Sequence, residues 1–79
     1  MELNKYLGKN IKIEDIYGNT IEAKAQDYDD GTEEDEDSPY YNIPYLWLKD
    51  IKVIKYVDYW DEPYDIISLK EIVSIEEIK

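Results

Sequence analysis

Three observations predict a mainly β domain: a small sheet of four to five short strands, strongly bent into a barrel, behind a short N-terminal helical turn. Apolar and polar residues alternate from Asn10 to Ile16 and again from Thr20 to Tyr28, the period-two signature of half-buried strands. β-branched residues crowd Ile51 to Val57 and Ile66 to Ile78. Turn-forming residues separate the runs, at Tyr17-Gly18-Asn19, at Ser38-Pro39 and around Pro63. The 79 residues make one small domain, residues 1–79, and one this short buries only roughly 60% of the surface of its unfolded chain. Curling the sheet lets few residues cover a shared core and shortens its exposed edges.

The elements follow in chain order. Leu3 to Leu7 has room for one helical turn, with Asn4 as its cap and Gly8 as its stop. In the first strand Ile11 and Ile13 share a face and Lys12 and Glu14 the other. In the second, Ile21, Ala23 and Ala25 share a face; the two alanines imply close approach of a neighbouring strand or tight curvature. An acidic stretch interrupts from Asp27 to Asp37 and is expected to be held extended and mobile by its own repulsion. Strand character resumes near Ile43, with Pro44 fitting a strand start or an edge. Tyr45 to Val57 reads as one long strand bent at a bulge, because Lys49-Asp50 lacks the glycine or asparagine that a tight hairpin prefers. Asp58 to Tyr64 reads as a loop and Ile66 to Leu69 as a short strand. Lys70-Glu71 is a tight 3₁₀-like step into a last strand, Ile72 to Ile78, with Val73 and Ile75 on one face. A helical stripe through Leu69, Ile72, Val73 and Ile75 competes with this strand, and the β-branched density decides for the strand.

Charge is distributed unevenly. The net charge is −11, yet eight of the twenty acids lie between Asp27 and Asp37, and the rest of the chain carries only −3. All nine basic residues are lysine. Without arginine, bidentate contacts to phosphate and guanine are missing, and the negative charge opposes the nucleic-acid backbone, so direct nucleic-acid binding is not expected. The chain has no histidine, cysteine or arginine, and its clustered carboxylates share one wet environment, whereas acid–base catalysis needs groups held in different ones. No catalytic residue, cofactor or metal site is therefore expected. No run approaches the about 20 apolar residues of a membrane span, and the first residues lack the apolar core of a secretory signal, so a cytoplasmic location is the default.

Some of these residues carry a family resemblance. Leu3-x-x-Tyr6-Leu7-Gly8-Lys9-x-Ile11-x-Ile13, then Tyr17-Gly18-Asn19 and Ile21-Glu22-Ala23, resembles the opening of Sm-like (LSM) domains. Leu69-x-x-Ile72-x-Ser74-Ile75 resembles the last-strand signature of Sm-like and SH3-like barrels, in particular that of short acidic bacterial LSM-like proteins. Together these segments span about the first 26 and last 14 residues. The resemblance implies a short N-terminal helix leading into a strongly bent five-stranded barrel. The RNA-binding members carry an Asp-x-x-x-Asn run and an Arg-Gly or Lys-Gly pair. Here Asp50 to Ile54 lacks the asparagine and Leu69-Lys70-Glu71 lacks the glycine, so no RNA-binding residue carries over.

Four readings fit the acidic stretch: a solvated loop, a docking site for a basic surface, a weak divalent-cation site, or mimicry of a nucleic-acid backbone. The calcium-loop register fails, since counting back from Gly31 places Gln26 first and Tyr28 third. The aromatic residues have two readings. Trp47 and some tyrosines fill the core with the rest at its rim, or the aromatics form a groove beside the loop, as on SH3-like barrels that take proline-rich peptides with a basic anchor. The expectation is a non-catalytic protein-interaction domain for a basic protein surface or peptide. Asp29, Asp30, Glu33, Glu34, Asp35, Glu36 and Asp37 would steer the partner, and Tyr59, Trp60 and Tyr64 would supply apolar contact. Two alternatives stay open: a phage-type inhibitor mimicking nucleic acid, with Glu14, Glu22, Asp58, Asp61 and Glu62 extending the acidic face, and a divergent Sm-like RNA-binding ring. A homo-oligomer also stays open.

Overall fold

The computed structural model describes residues 2–57 and 65–78. A 3₁₀ turn over Leu3–Tyr6 precedes five strands: β1 Asn10–Asp15, β2 Thr20–Asp29, β3 Tyr45–Lys55, β4 Ile66–Ser68 and β5 Ile72–Glu77. They form one antiparallel sheet in the order β4-β3-β2-β1-β5. Among the described residues β4 and β5 are not paired with each other, so the expected barrel is realised as a curled open sheet. No helix among the described residues is long and apolar enough to cross a membrane.

The alternation in β1 and the first half of β2 is realised in register. Ile11 faces Ala23, and Ile13 faces Ile21 on one side and Ile75 on the other. These residues, with Leu46, Leu48 and Ile67, form the core, and Leu3 from the N-terminal turn closes one end of it. Fully burying a side chain such as Leu46 stabilises by roughly 1.5–3 kcal/mol, which a domain this small needs from each core position. Ala25 carries the β1–β2 ladder beyond Asn10, donating to the Lys9 carbonyl at 3.0 Å and accepting from the Gly8 N–H at 2.8 Å. Gly8 stops the 3₁₀ turn at φ +79°. Asn4 is not its cap; Glu2 takes that position, and Asn4 lies inside the turn, its carbonyl accepting from Leu7.

Bulges curl the sheet. Where β2 advances from Glu22 to Lys24, β3 spans Lys52 to Lys49, one residue more, and Asp50 takes φ +54° there. The single bent β3 is thus as the sequence implies, and the αL residue is an aspartate, a type that tolerates this region. A second bulge, at Gln26, shifts the phase of β2, so that Tyr28 returns to the core side opposite Leu46. A third corrects the β5 expectation. Asp15 pairs with Ile72 but Glu14 with Ser74, so Val73 is the extra residue. Val73 is 57% exposed, while Ile72 at 8% and the partly buried Ile75 face the core.

The corner before β5 is a 3₁₀ turn over Leu69–Glu71, not a longer helix. Glu71 Oε1 accepts from the Ser68 N–H at 3.2 Å and from the Ser68 hydroxyl at 3.0 Å. The β1–β2 turn is also held by side chains. Asp15 Oδ1 accepts from the Tyr17 and Asn19 N–H groups at 2.9 and 2.8 Å, and Asn19 Oδ1 accepts from Val57 N–H at 2.8 Å, tying the turn to the end of β3. Both side chains are buried. Burial of such polar groups is tolerated because each finds partners.

Candidate functional site: an acidic loop over an aromatic row

The expected extended conformation of the acidic stretch is not what forms. β2 continues through Asp29, and the chain then winds through successive turns back to Tyr45. Gly31 is the pivot. Its φ is +79°, its carbonyl accepts from Asn42 at 2.9 Å and Glu34 at 3.3 Å, and a Cβ there would lie 2.6 Å from the Ile43 nitrogen. The carboxylates help to build the turns that contain them. Asp29 Oδ1 accepts from Gly31 N–H at 2.8 Å, and Asp30 Oδ1 accepts from the Thr32 N–H at 3.0 Å and the Thr32 hydroxyl at 2.8 Å. These donors, the Thr32 N–H first, lower the Asp30 pKa below the usual aspartate value. Repulsion between exposed charges is weak in water, so local N–H donors outcompete it.

The loop lies against the outer face of the sheet. Tyr45 and Trp47 alternate with the core residues Leu46 and Leu48, so they point outward. Across the strand pair, Asp29 stands opposite Tyr45 and Asp27 opposite Trp47. Tyr45 is only 5% exposed although it is outside the core, and its hydroxyl donates to Glu34 Oε1 at 2.6 Å. That hydrogen bond, then burial, then the nearby Asp29 charge push the Tyr45 pKa well above the ordinary tyrosine value. The Tyr40 ring packs 4.7 Å from that of Tyr45, and the Trp47 ring lies 6.5 Å beyond. Burial raises the Tyr40 pKa too, aided by the field of Glu71, Asp65 and Glu34.

Trp47 is therefore not a core residue. It is 41% exposed at the open end of the Tyr40–Tyr45–Trp47 row, beside the loop. The preceding tyrosines supply its backing, which fixes the ring without covering it.

Of the residues singled out from sequence, Asp30, Glu33, Asp35, Glu36 and Asp37 are exposed, while Asp29 and Glu34 are half-buried and engaged in the loop's own bonds. Tyr59, Trp60 and Tyr64 lie outside the described residues, as do Asp58, Asp61 and Glu62. Glu14 and Glu22 lie on β1 and β2 beside Lys12 and Lys52, so they do not extend the acidic surface. Among the described residues no three acidic side chains converge as a metal site would require. Tyr40 and Tyr45 belong to the aromatics that the sequence offers as a groove beside the loop, whereas Trp47 reads there as a core residue; the odd-position spacing of Tyr45 and Trp47 against Leu46 and Leu48 is the signal that places both outward. Comparison with known protein families, curated proteins and solved structures finds no match.

Proposed function

We propose that this chain is a non-catalytic interaction domain that docks a basic protein surface or peptide on the face where the acidic loop meets Trp47. The observation that supports this most is the placement of an exposed, backed indole directly opposite Asp27 and beside a loop that carries six carboxylates from Asp30 to Asp37. The two ingredients do different work. Exposed acids accelerate encounter and orient a cationic partner at long range; each contributes little alone, and their effect on affinity is the sum over the loop. The indole supplies contact area that is already ordered, so little side-chain entropy is lost on binding. The Sm-like and SH3-like resemblance is compatible with this reading, and the five-stranded curled sheet with a 3₁₀ turn before its last strand supplies a frame for it. The missing arginines and the net charge of −11 favour a protein partner over RNA.

The test is a titration with a lysine- and arginine-rich peptide, followed by calorimetry at low and at high salt. Affinity is expected to fall at least about tenfold as exposed charges are screened. Binding that is indifferent to salt would remove the electrostatic half of the proposal.

A further inference from the structure

A second surface, on the same outer face but toward the other end of β2, carries a charge pattern with a definite symmetry. Directly opposed residues in antiparallel strands project to the same side of a sheet. Lys12 pairs with Glu22 on β2 and with Glu76 on β5, and Glu22 pairs with Lys52 on β3. Four strands thus present a row reading Glu76, Lys12, Glu22, Lys52, with signs minus, plus, minus, plus. One step along the strands, Glu14 and Lys55 flank Thr20 in the next row. These six charged groups sum to zero on a chain of net charge −11, and in the row on the other side Lys24 stands between Asn10 and Lys49. Among the described residues the ion pair that closes is Lys9 with Glu77 at 3.3 Å, and none closes within the row.

We propose that two copies of this chain associate face to face through this surface, about a two-fold axis parallel to the strands. Such an axis reverses the row. A palindromic row would then meet like with like, but this row inverts its signs on reversal. Lys12 meets the partner's Glu22, Glu22 meets the partner's Lys12, and Glu76 and Lys52 meet at the flanks. The interface is isologous and closed, as most homodimers are. Lys12 and Glu22 are half-buried on the two inner strands of the row. Glu76 and Lys52 are exposed on the flanking strands. Charge pairs of this kind fix register and partner choice more than they add affinity, so the dimer is weak and concentration-dependent.

The proposal is independent of the basic-partner reading, which uses the loop end of the sheet. Its test is a charge cross. Lys12→Glu places acids at both central positions, and Glu22→Lys places lysines at both. Each variant alone puts like charges across the axis, while an equimolar mixture restores every pair. Sedimentation is run at 0.15 M salt, where charges more than about 8 Å apart are screened and the acidic loops of two copies do not dominate. The wild-type chain is expected to show a monomer–dimer equilibrium. Each variant should raise the Kd at least about tenfold, and the mixture should recover a heterodimer close to the wild-type value. Thermal melts by circular dichroism confirm that each variant is folded, and Glu76→Lys with Lys52→Glu provides the same cross at the flanks if one is not. A wild-type chain that stays monomeric at every concentration overturns the proposal. So do single variants that dimerise as the wild type does, or a mixture that fails to recover the dimer.

Discussion

Gly31 and Tyr45 decide the shape of the acidic loop at the level of single residues. Gly31 combines a positive φ with backbone on all sides, since a Cβ would collide with the Tyr40 and Ile43 main chain. Backbone cannot yield as a side chain does. Gly31→Ala is expected to cost about 2 kcal/mol or more, read as a lowered urea midpoint. Tyr45 fastens the loop through its hydroxyl to Glu34. Its pKa is raised in the folded state, so the fold favours the neutral phenol. Stability from this group is complete below the ordinary tyrosine value of about 10 and declines as pH rises above it, because the unfolded chain releases the proton first. Tyr45→Phe should flatten that alkaline decline in thermal melts taken from pH 9 to 12, and an unchanged slope would mean that the Glu34 contact contributes nothing. The same residue scale holds the Asp15–Asn19 clamp. Its signal was present, two short polar residues flanking Gly18, but nothing in a linear sequence indicates that Asn19 reaches across to Val57.

Elements are where sequence and structure agree best, and bulges are where they part. Strands β1 and β2 are legible because their apolar residues alternate without interruption, and the side-chain period of a strand is fixed by its pleat. The bend of β3 is legible because Lys49-Asp50 is a poor hairpin turn. The face assignment of β5 fails because an added residue at Val73 resets the alternation, and a bulge leaves no mark in a run of β-branched residues. Paired substitutions check this phase. Ile72→Ser should destabilise by roughly 2–4 kcal/mol through lost core packing. Val73→Ser should stay within about 0.5 kcal/mol of the wild type in chemical denaturation. Strict alternation, with Val73 inside, would reverse the order. The acidic loop was legible in charge but not in shape, because its turns are set by carboxylate-to-backbone bonds that depend on the placement of Gly31. Trp47 was open to a core reading from its type alone. Its exposure follows from its place in the strand phase, between Leu46 and Leu48.

The whole molecule separates charge from fold. A curled five-stranded sheet supplies the core, and most of the net charge sits on one loop packed against its outer face. That separation puts the exposed acids of the loop on irregular chain backed by strands, where substitutions leave the core undisturbed. The proposed role rests on the loop and Trp47 acting as one surface. The most direct measurement is a ¹⁵N-resolved titration with a lysine- and arginine-rich peptide, following the backbone amides and the Trp47 indole N–H. Shifts should concentrate on residues 27–37 and on the Trp47 indole, and Trp47→Ala should weaken binding while leaving the melting temperature nearly unchanged. Shifts gathered on other strands with the Trp47 indole silent, or no shifts at millimolar peptide, would contradict the proposed role.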